Sequence, residues 1–155
     1  MPPPIPPPLL MLLAAGLMWS MHRWWPIVIW LGAPWNRIGA LPIATGIAIA
    51  AAAITRFRQS GTTLNPLEPG KATHLVTDGI FRLSRNPMYL GLSLLLIGWA
   101  LWLGTASPWL VPPVFVLFIY RAQIVPEERA LETLFGARYL EYRHTVARWF
   151  GRSGA

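Results

Sequence analysis

The chain has 155 residues, 54% of them hydrophobic and only 12% charged, with a net charge of +7 and no cysteine. That leaves room for one domain, carries about half the charged share of an ordinary soluble domain, and excludes disulfides, a thiolate nucleophile and any cysteine-based metal site. The positive charge does not point to nucleic acid: the basic residues border long apolar runs, where orientation in a bilayer and contact with anionic lipid account for them.

Residues 1–8, MPPPIPPP, read as an extended lead-in without the basic region or small-residue cleavage site of a secretory signal. Residues 9–22 are apolar and form a short first span. It ends in His22-Arg23-Trp24-Trp25-Pro26, a charge, two interfacial tryptophans and a helix breaker, with His22 as an interfacial side chain. Residues 27–34 are apolar, too short to cross and bounded by Pro26 and Pro34, so they lie at the interface. A second span covers residues 38–55, uncharged between Arg37 and Arg56. Its many small residues, Gly39, Ala44, Gly46 and Ala50 among them, let a neighbouring helix come close.

Residues 56–86 form the main polar loop, punctuated by Gly61, Asn65-Pro66 and Pro69-Gly70 and anchored by Leu64, Leu67, Leu75, Val76, Ile80 and Phe81. Asp78-Gly79 reads as a tight turn. His74 is the loop's only side chain with a reference pKa near neutrality, and a lone loop histidine reads first as a surface group.

From Asn86 to Tyr120 there are 35 residues without Asp, Glu, Lys, Arg or His. Asn86-Pro87 starts a helix, and residues 87–103 are the third span. GTASP at 104–108 is a short turn, and residues 109–125 are the fourth span, kinked or started by Pro112-Pro113. Residues 126–150 are an amphipathic helix opened by Pro126, broken or bent at Gly136, with Leu131, Leu134, Phe135, Tyr139, Tyr142, Val146 and Trp149 near helical spacing.

The fold class is therefore all-α: a polytopic membrane protein of about four transmembrane helices and a C-terminal amphipathic cytoplasmic helix, in one domain. Eleven of the 13 Lys/Arg lie in the 56–86 loop or from Arg121 onward, which puts both termini and that loop in the cytoplasm and the protein in the cytoplasmic (inner) membrane.

The third–fourth hairpin brings two distant stretches to one membrane depth. Arg85, the helix start at Asn86 and Tyr89 come near Glu127 and Glu128. A helix N-terminus beside an arginine attracts an anion, and carboxylates suit an ammonium or ribose hydroxyls. The residues alone read first as a membrane anchor, since Arg and Tyr mark interfaces and acids favour the first turn of any helix.

Leu75-Val76, Gly79, Phe81 and Arg85-Asn86-Pro87-Met88-Tyr89-Leu90-Gly91 resemble the signature of the isoprenylcysteine carboxyl methyltransferase and phospholipid methyltransferase superfamily of integral membrane enzymes. Glu127-Glu128, Leu131, Phe135-Gly136, Tyr139, Tyr142 and Val146 resemble its second block. The resemblance implies a methyltransferase that uses S-adenosylmethionine. Its cofactor would be held by Thr73, His74, Leu75, Val76, Gly79, Phe81, Arg85, Asn86, Pro87, Met88, Tyr89, Glu127 and Glu128, and its acceptor contacted by Arg121. Asn86 stands where eukaryotic members often have His, and Phe81 where they often have Tyr, so the substrate class does not carry over. The acceptor is lipophilic or small: a phospholipid amine, a prenyl-type carboxylate or a thiol. Partners are the bilayer and that acceptor, with no nucleic acid and no metal. The alternatives are a non-catalytic assembly subunit that keeps the fold and, less readily, a transporter, against which stands the lack of ionisable residues inside the second and third spans.

Overall fold

The uncharged run from residue 86 to 120 folds back on itself, and the other helices assemble around it. A computed structural model of the chain describes residues 5–60 and 74–151. Thr73 and the loop anchors Leu64 and Leu67 lie outside them. The longer elements among the described residues are all helices: α1 (Pro7–Trp24), α2 (Ala40–Gln59), α3 (Pro87–Leu103), α4 (Val111–Ile119), α5 (Val125–Phe135) and α6 (Ala137–Thr145). A π turn, Tyr120–Ile124, joins α4 to α5 without a break, and 3-10 turns precede α2 and α4.

The starts and stops follow from local chemistry. Prolines occupy the first turns of α1, α3, α4 and α5, where a missing N–H costs nothing. Pro112-Pro113 thus start α4 rather than kink a longer helix. Gly104, at φ +69°, ends α3, and Gly136, at φ +51°, separates α5 from α6; both are positions where a side chain would strain the backbone.

Helix α3 is central, with α1, α2 and α4 packed on it. Against α2 and the 3-10 turn before it, α3 lies nearly backbone to backbone, because Gly91 and Gly98 meet Gly46 of α2 and Gly39 of that turn. A methyl group added at Gly46 would stand 2.6 Å from the Gly91 carbonyl oxygen, and one at Gly98 would stand 2.6 Å from that of Gly39. Both pairs are spaced by two helical turns and run in opposite directions, so the helices are antiparallel. On the other side Met18, Leu92, Leu96, Ala100, Phe115 and Ile119 form the apolar core between α1, α3 and α4.

Around this core large apolar side chains face outward: Leu12, Leu13 and Leu17 on α1, Leu41 and Ile47 on α2, Val114, Leu117 and Phe118 on α4. Trp35–Gln59 and Ser107–Phe135 are long and apolar enough to cross a membrane. Helices α1 and α3 occupy the other two expected positions, at 18 and 17 residues.

At the end where α3 finishes, residues 25–34 are not helical. Ile29 is bridged to Thr105, and the Trp30 and Leu31 amides donate to the Gly104 carbonyl. His22 Nδ1 lies 3.0 Å from the Thr105 hydroxyl.

The C-terminal helix expected over 126–150 is shorter. Val146 is extended, and the chain turns back across the start of α3. Hydrogen bonds to that segment replace helical ones: the Arg85 amide donates to the Ala147 carbonyl at 3.0 Å, and the Gly151 amide to the Leu83 carbonyl at 2.8 Å.

Candidate active site

Two buried layers meet where α3 begins. The outer layer is apolar: Val76, Phe81, Tyr139, Tyr142 and Val146 with Ala53 of α2, and Leu75, Met88 and Phe57 packed on them. Phe57 meets Phe81 edge to face at 5.0 Å. Tyr142 closes the layer by donating to the Phe81 carbonyl at 2.6 Å. Burial pushes its hydroxyl well above the ordinary phenol range, against the opposing pull of Arg85, so it stays a donor.

The inner layer is charged. Arg85 Nη1 lies 3.1 Å from Glu128 Oε1, with both side chains nearly buried. Arg148 approaches the same carboxylate from the returning C-terminal segment, with Nε 3.1 Å from Oε1 and Nη2 2.7 Å from Oε2. Its guanidinium also lies 5.0 Å over the Tyr120 ring. The hydrogen bonds to Glu128 push the Arg148 pKa up, against a smaller effect of burial, so this cation is fixed. Tyr139 lies 3.4 Å from Arg85 Nη1, and burial, with the Glu128 charge behind it, raises its hydroxyl despite that arginine.

One residue along α5, Glu127 points elsewhere: the Tyr89 hydroxyl donates to its Oε1 at 2.6 Å. The same hydroxyl lies 3.2 Å from Gln123 Oε1, on the π turn. Adjacent residues of a helix diverge by about 100°, which is why two neighbouring carboxylates serve two different partners. The π turn that carries Gln123 leads directly into α5.

The structure thus brings together Arg85, Asn86, Tyr89, Glu127 and Glu128 as the sequence predicts, with Pro87 buried at the first turn of α3. Asn86 stands at the N-cap of α3, as expected, but its side chain makes no capping bond; its Nδ2 donates to the Arg148 carbonyl at 3.3 Å instead. Leu75, Val76, Phe81 and Met88 form the adjoining apolar wall. Gly79 faces Arg56, which is paired with Asp78 at 2.8 Å. His74 is exposed, and so is Arg121 on the π turn.

Arg148, Tyr120 and Gln123 are the residues that sequence reasoning missed. A helix that continues to residue 150 carries Arg148 away from the site, and a glutamine next to an apolar span announces nothing. The one available signal was the surplus of a cation: Glu128 is one acid set among several arginines.

The family model described as phospholipid methyltransferase matches residues 35–138. The chain is 47% identical over 62 residues to a Haemophilus influenzae protein described as uncharacterized, a match covering 40% of this chain and 98% of that one. It is 32% identical over 112 residues to protein-S-isoprenylcysteine O-methyltransferase A of Arabidopsis thaliana, covering 72% of this chain and 57% of that one. With form B of the same plant it shares 27% over 111 residues, 72% of this chain and 56% of that one. The chain therefore spans a little over half the length of these two plant relatives. No solved structure matches it.

Proposed function

This chain belongs to the phospholipid methyltransferase family, a methyltransferase family of membrane proteins, and from that premise we propose that it is an S-adenosylmethionine-dependent methyltransferase of the cytoplasmic membrane whose cofactor lies at the start of α3. The observation that carries the reading is the pairing of Arg85 with Glu128 and of Tyr89 with Glu127 across the α3–α4 hairpin.

The residues suit this cofactor. Arg85 Nε is buried and has no hydrogen-bond partner among the described residues, so it needs an acceptor such as a carboxylate. A carboxylate offers about four acceptor sites, and the Tyr89 hydroxyl uses one on Glu127, which leaves capacity for an ammonium or ribose hydroxyls. Glu128 is engaged by two arginines, and its role is to hold Arg85. Leu75, Val76, Phe81 and Met88 supply an apolar wall, and the family resemblance adds Thr73, His74, Gly79, Asn86 and Pro87 to the lining.

When bound, S-adenosylmethionine supplies a sulfonium methyl group that the acceptor's lone pair displaces in line, the S–C electron pair returning to sulfur. The protein's part is to bind, align and exclude water. The acceptor is lipophilic or small, a phospholipid amine, a prenyl-type carboxylate or a thiol, with Arg121 as its contact. Helices α1, α2 and α3 and the continuous run of α4 with the π turn cross the membrane, with residues 56–86 and both termini in the cytoplasm. Reporter fusions in that loop and at Ala155 are expected to give cytoplasmic signals; a periplasmic signal from either overturns the four-span topology.

The cofactor site is tested by calorimetric titration of detergent-purified protein with S-adenosylhomocysteine. Glu127→Gln and Arg85→Gln are each expected to weaken binding by ~2–3 kcal/mol, the range for a charge-assisted hydrogen bond in a desolvated site. Glu141→Gln, exposed on α6, leaves it unchanged. Wild-type affinity in both site variants removes the proposed pocket. A wild type that does not bind favours the non-catalytic assembly subunit.

A further inference from the structure

Two arginines converge on one buried carboxylate, and they do so unequally. Arg148 meets both oxygens of Glu128 in a fork, through Nε and Nη2, whereas Arg85 reaches only Oε1, through Nη1. Arg148 comes from residues 146–151, beyond the 35–138 stretch that the family model matches. Its main chain is held there independently of its charge: its carbonyl accepts from the Ser84 hydroxyl and from Asn86 Nδ2, both at 3.3 Å, while the guanidinium itself rests over the Tyr120 ring. The Ala147 carbonyl next to it accepts from the Arg85 amide.

We propose that Arg148 is a positioning residue of the cofactor pocket: by occupying Glu128 it leaves Arg85 with an uncompensated positive charge for an anionic group of the ligand. The inference rests on the cofactor reading above. Its logic is a count of charges. Glu128 paired with Arg85 alone makes a neutral unit that has little attraction for a carboxylate. A second arginine on the same acid restores one net positive charge inside a nearly buried site, where charge interactions are screened least. The fork geometry assigns the compensation to Arg148, because two parallel N–H donors bind a carboxylate more strongly than one. Arg85 then keeps Nε, buried and with no partner among the described residues, for the ligand. The return of the C-terminal segment thereby acquires a purpose beyond packing: it delivers the second cation.

The proposal predicts an effect specific to the ligand's carboxylate. Binding of S-adenosylhomocysteine and of its decarboxylated analogue, which differs only in that group, is measured on the full-length protein in detergent, with thermal unfolding in parallel. Arg148→Gln is expected to weaken S-adenosylhomocysteine about tenfold and to leave the decarboxylated analogue within about twofold. Arg148→Lys keeps the charge without the fork and falls between. In a Glu128→Gln background, Arg148→Gln is expected to add no further loss, because its effect runs through that carboxylate. Equal weakening of both ligands, or wild-type affinity for S-adenosylhomocysteine in Arg148→Gln, overturns the inference while the cofactor site stands. Failure of the wild type to bind either ligand overturns both.

Discussion

The two ends of the helix bundle are built from different materials. Where α3 begins, side chains do the joining: Arg85, Glu128 and Arg148 in one charged cluster, Tyr89, Gln123 and Glu127 in another, and Tyr142 on the Phe81 carbonyl. Where α3 ends, the main chain joins: residues 28–31 bond to residues 104–106, and His22–Thr105 and Asn36 on the Trp102 carbonyl are the side-chain additions. The first end buries Arg85, Glu128 and Tyr89 with their partners; the second exposes Trp24, Trp25 and Trp35 to its surroundings. Buried charges are costly and persist only with partners, whereas exposed tryptophans are what an interface with lipid accepts. The difference sets the buried polar end, where we propose that the cofactor binds, against an exposed apolar end, and it is open to direct attack.

The hardest blow is Glu128→Gln. It leaves Arg85, with a side chain 7% exposed, facing a neutral amide and a second arginine. Removing one partner of a buried ion pair costs about 3–5 kcal/mol, so a large drop in thermal or denaturant stability in detergent is expected. A loss below about 1 kcal/mol would mean that the apolar layer alone holds this end together and that the charges there are incidental.

Tyr142→Phe probes the same end without touching a charge. The ring stays and the Phe81 carbonyl loses its donor, a buried acceptor left unpaired at about 1–2 kcal/mol. Because Phe81 lies in the wall beside Arg85, weaker S-adenosylhomocysteine binding is expected along with the lost stability. Unchanged stability would show that this turn is held by the Phe57–Phe81 contact instead.

Much of this was legible beforehand because it depends on local signals. Asn86-Pro87 marks the start of α3, Gly136 divides the last helices, and the glycines of α2 forecast a close neighbour, which α3 supplies with Gly91 and Gly98. The meeting of Arg85 and Tyr89 with the two glutamates followed from the length of the hairpin between them. What was hidden depends on long-range hydrogen bonding. No proline or glycine stops α6 after Thr145; the helix ends because residues 83–86 offer partners that a continued helix would forgo. The π turn is hidden for the same reason, since one extra residue per turn is paid for by Gln123 and Glu127 reaching Tyr89.

The gentlest test comes from the other end. His22→Ala removes one hydrogen bond, to the hydroxyl of Thr105, a residue only 1% exposed. The contact bridges α1 to the α3–α4 turn, and the main-chain bonds of residues 28–31 remain to hold that turn. The expected cost is therefore about 1 kcal/mol of stability, with no change in S-adenosylhomocysteine affinity, because the apolar core of Met18, Leu96 and Ala100 separates His22 from Arg85 and Glu127. Thr105→Val should match it, since it deletes the same bond from the other side. If either substitution weakens ligand binding as Glu127→Gln does, the two ends are coupled through α3, and the division between a reacting end and an anchoring end fails.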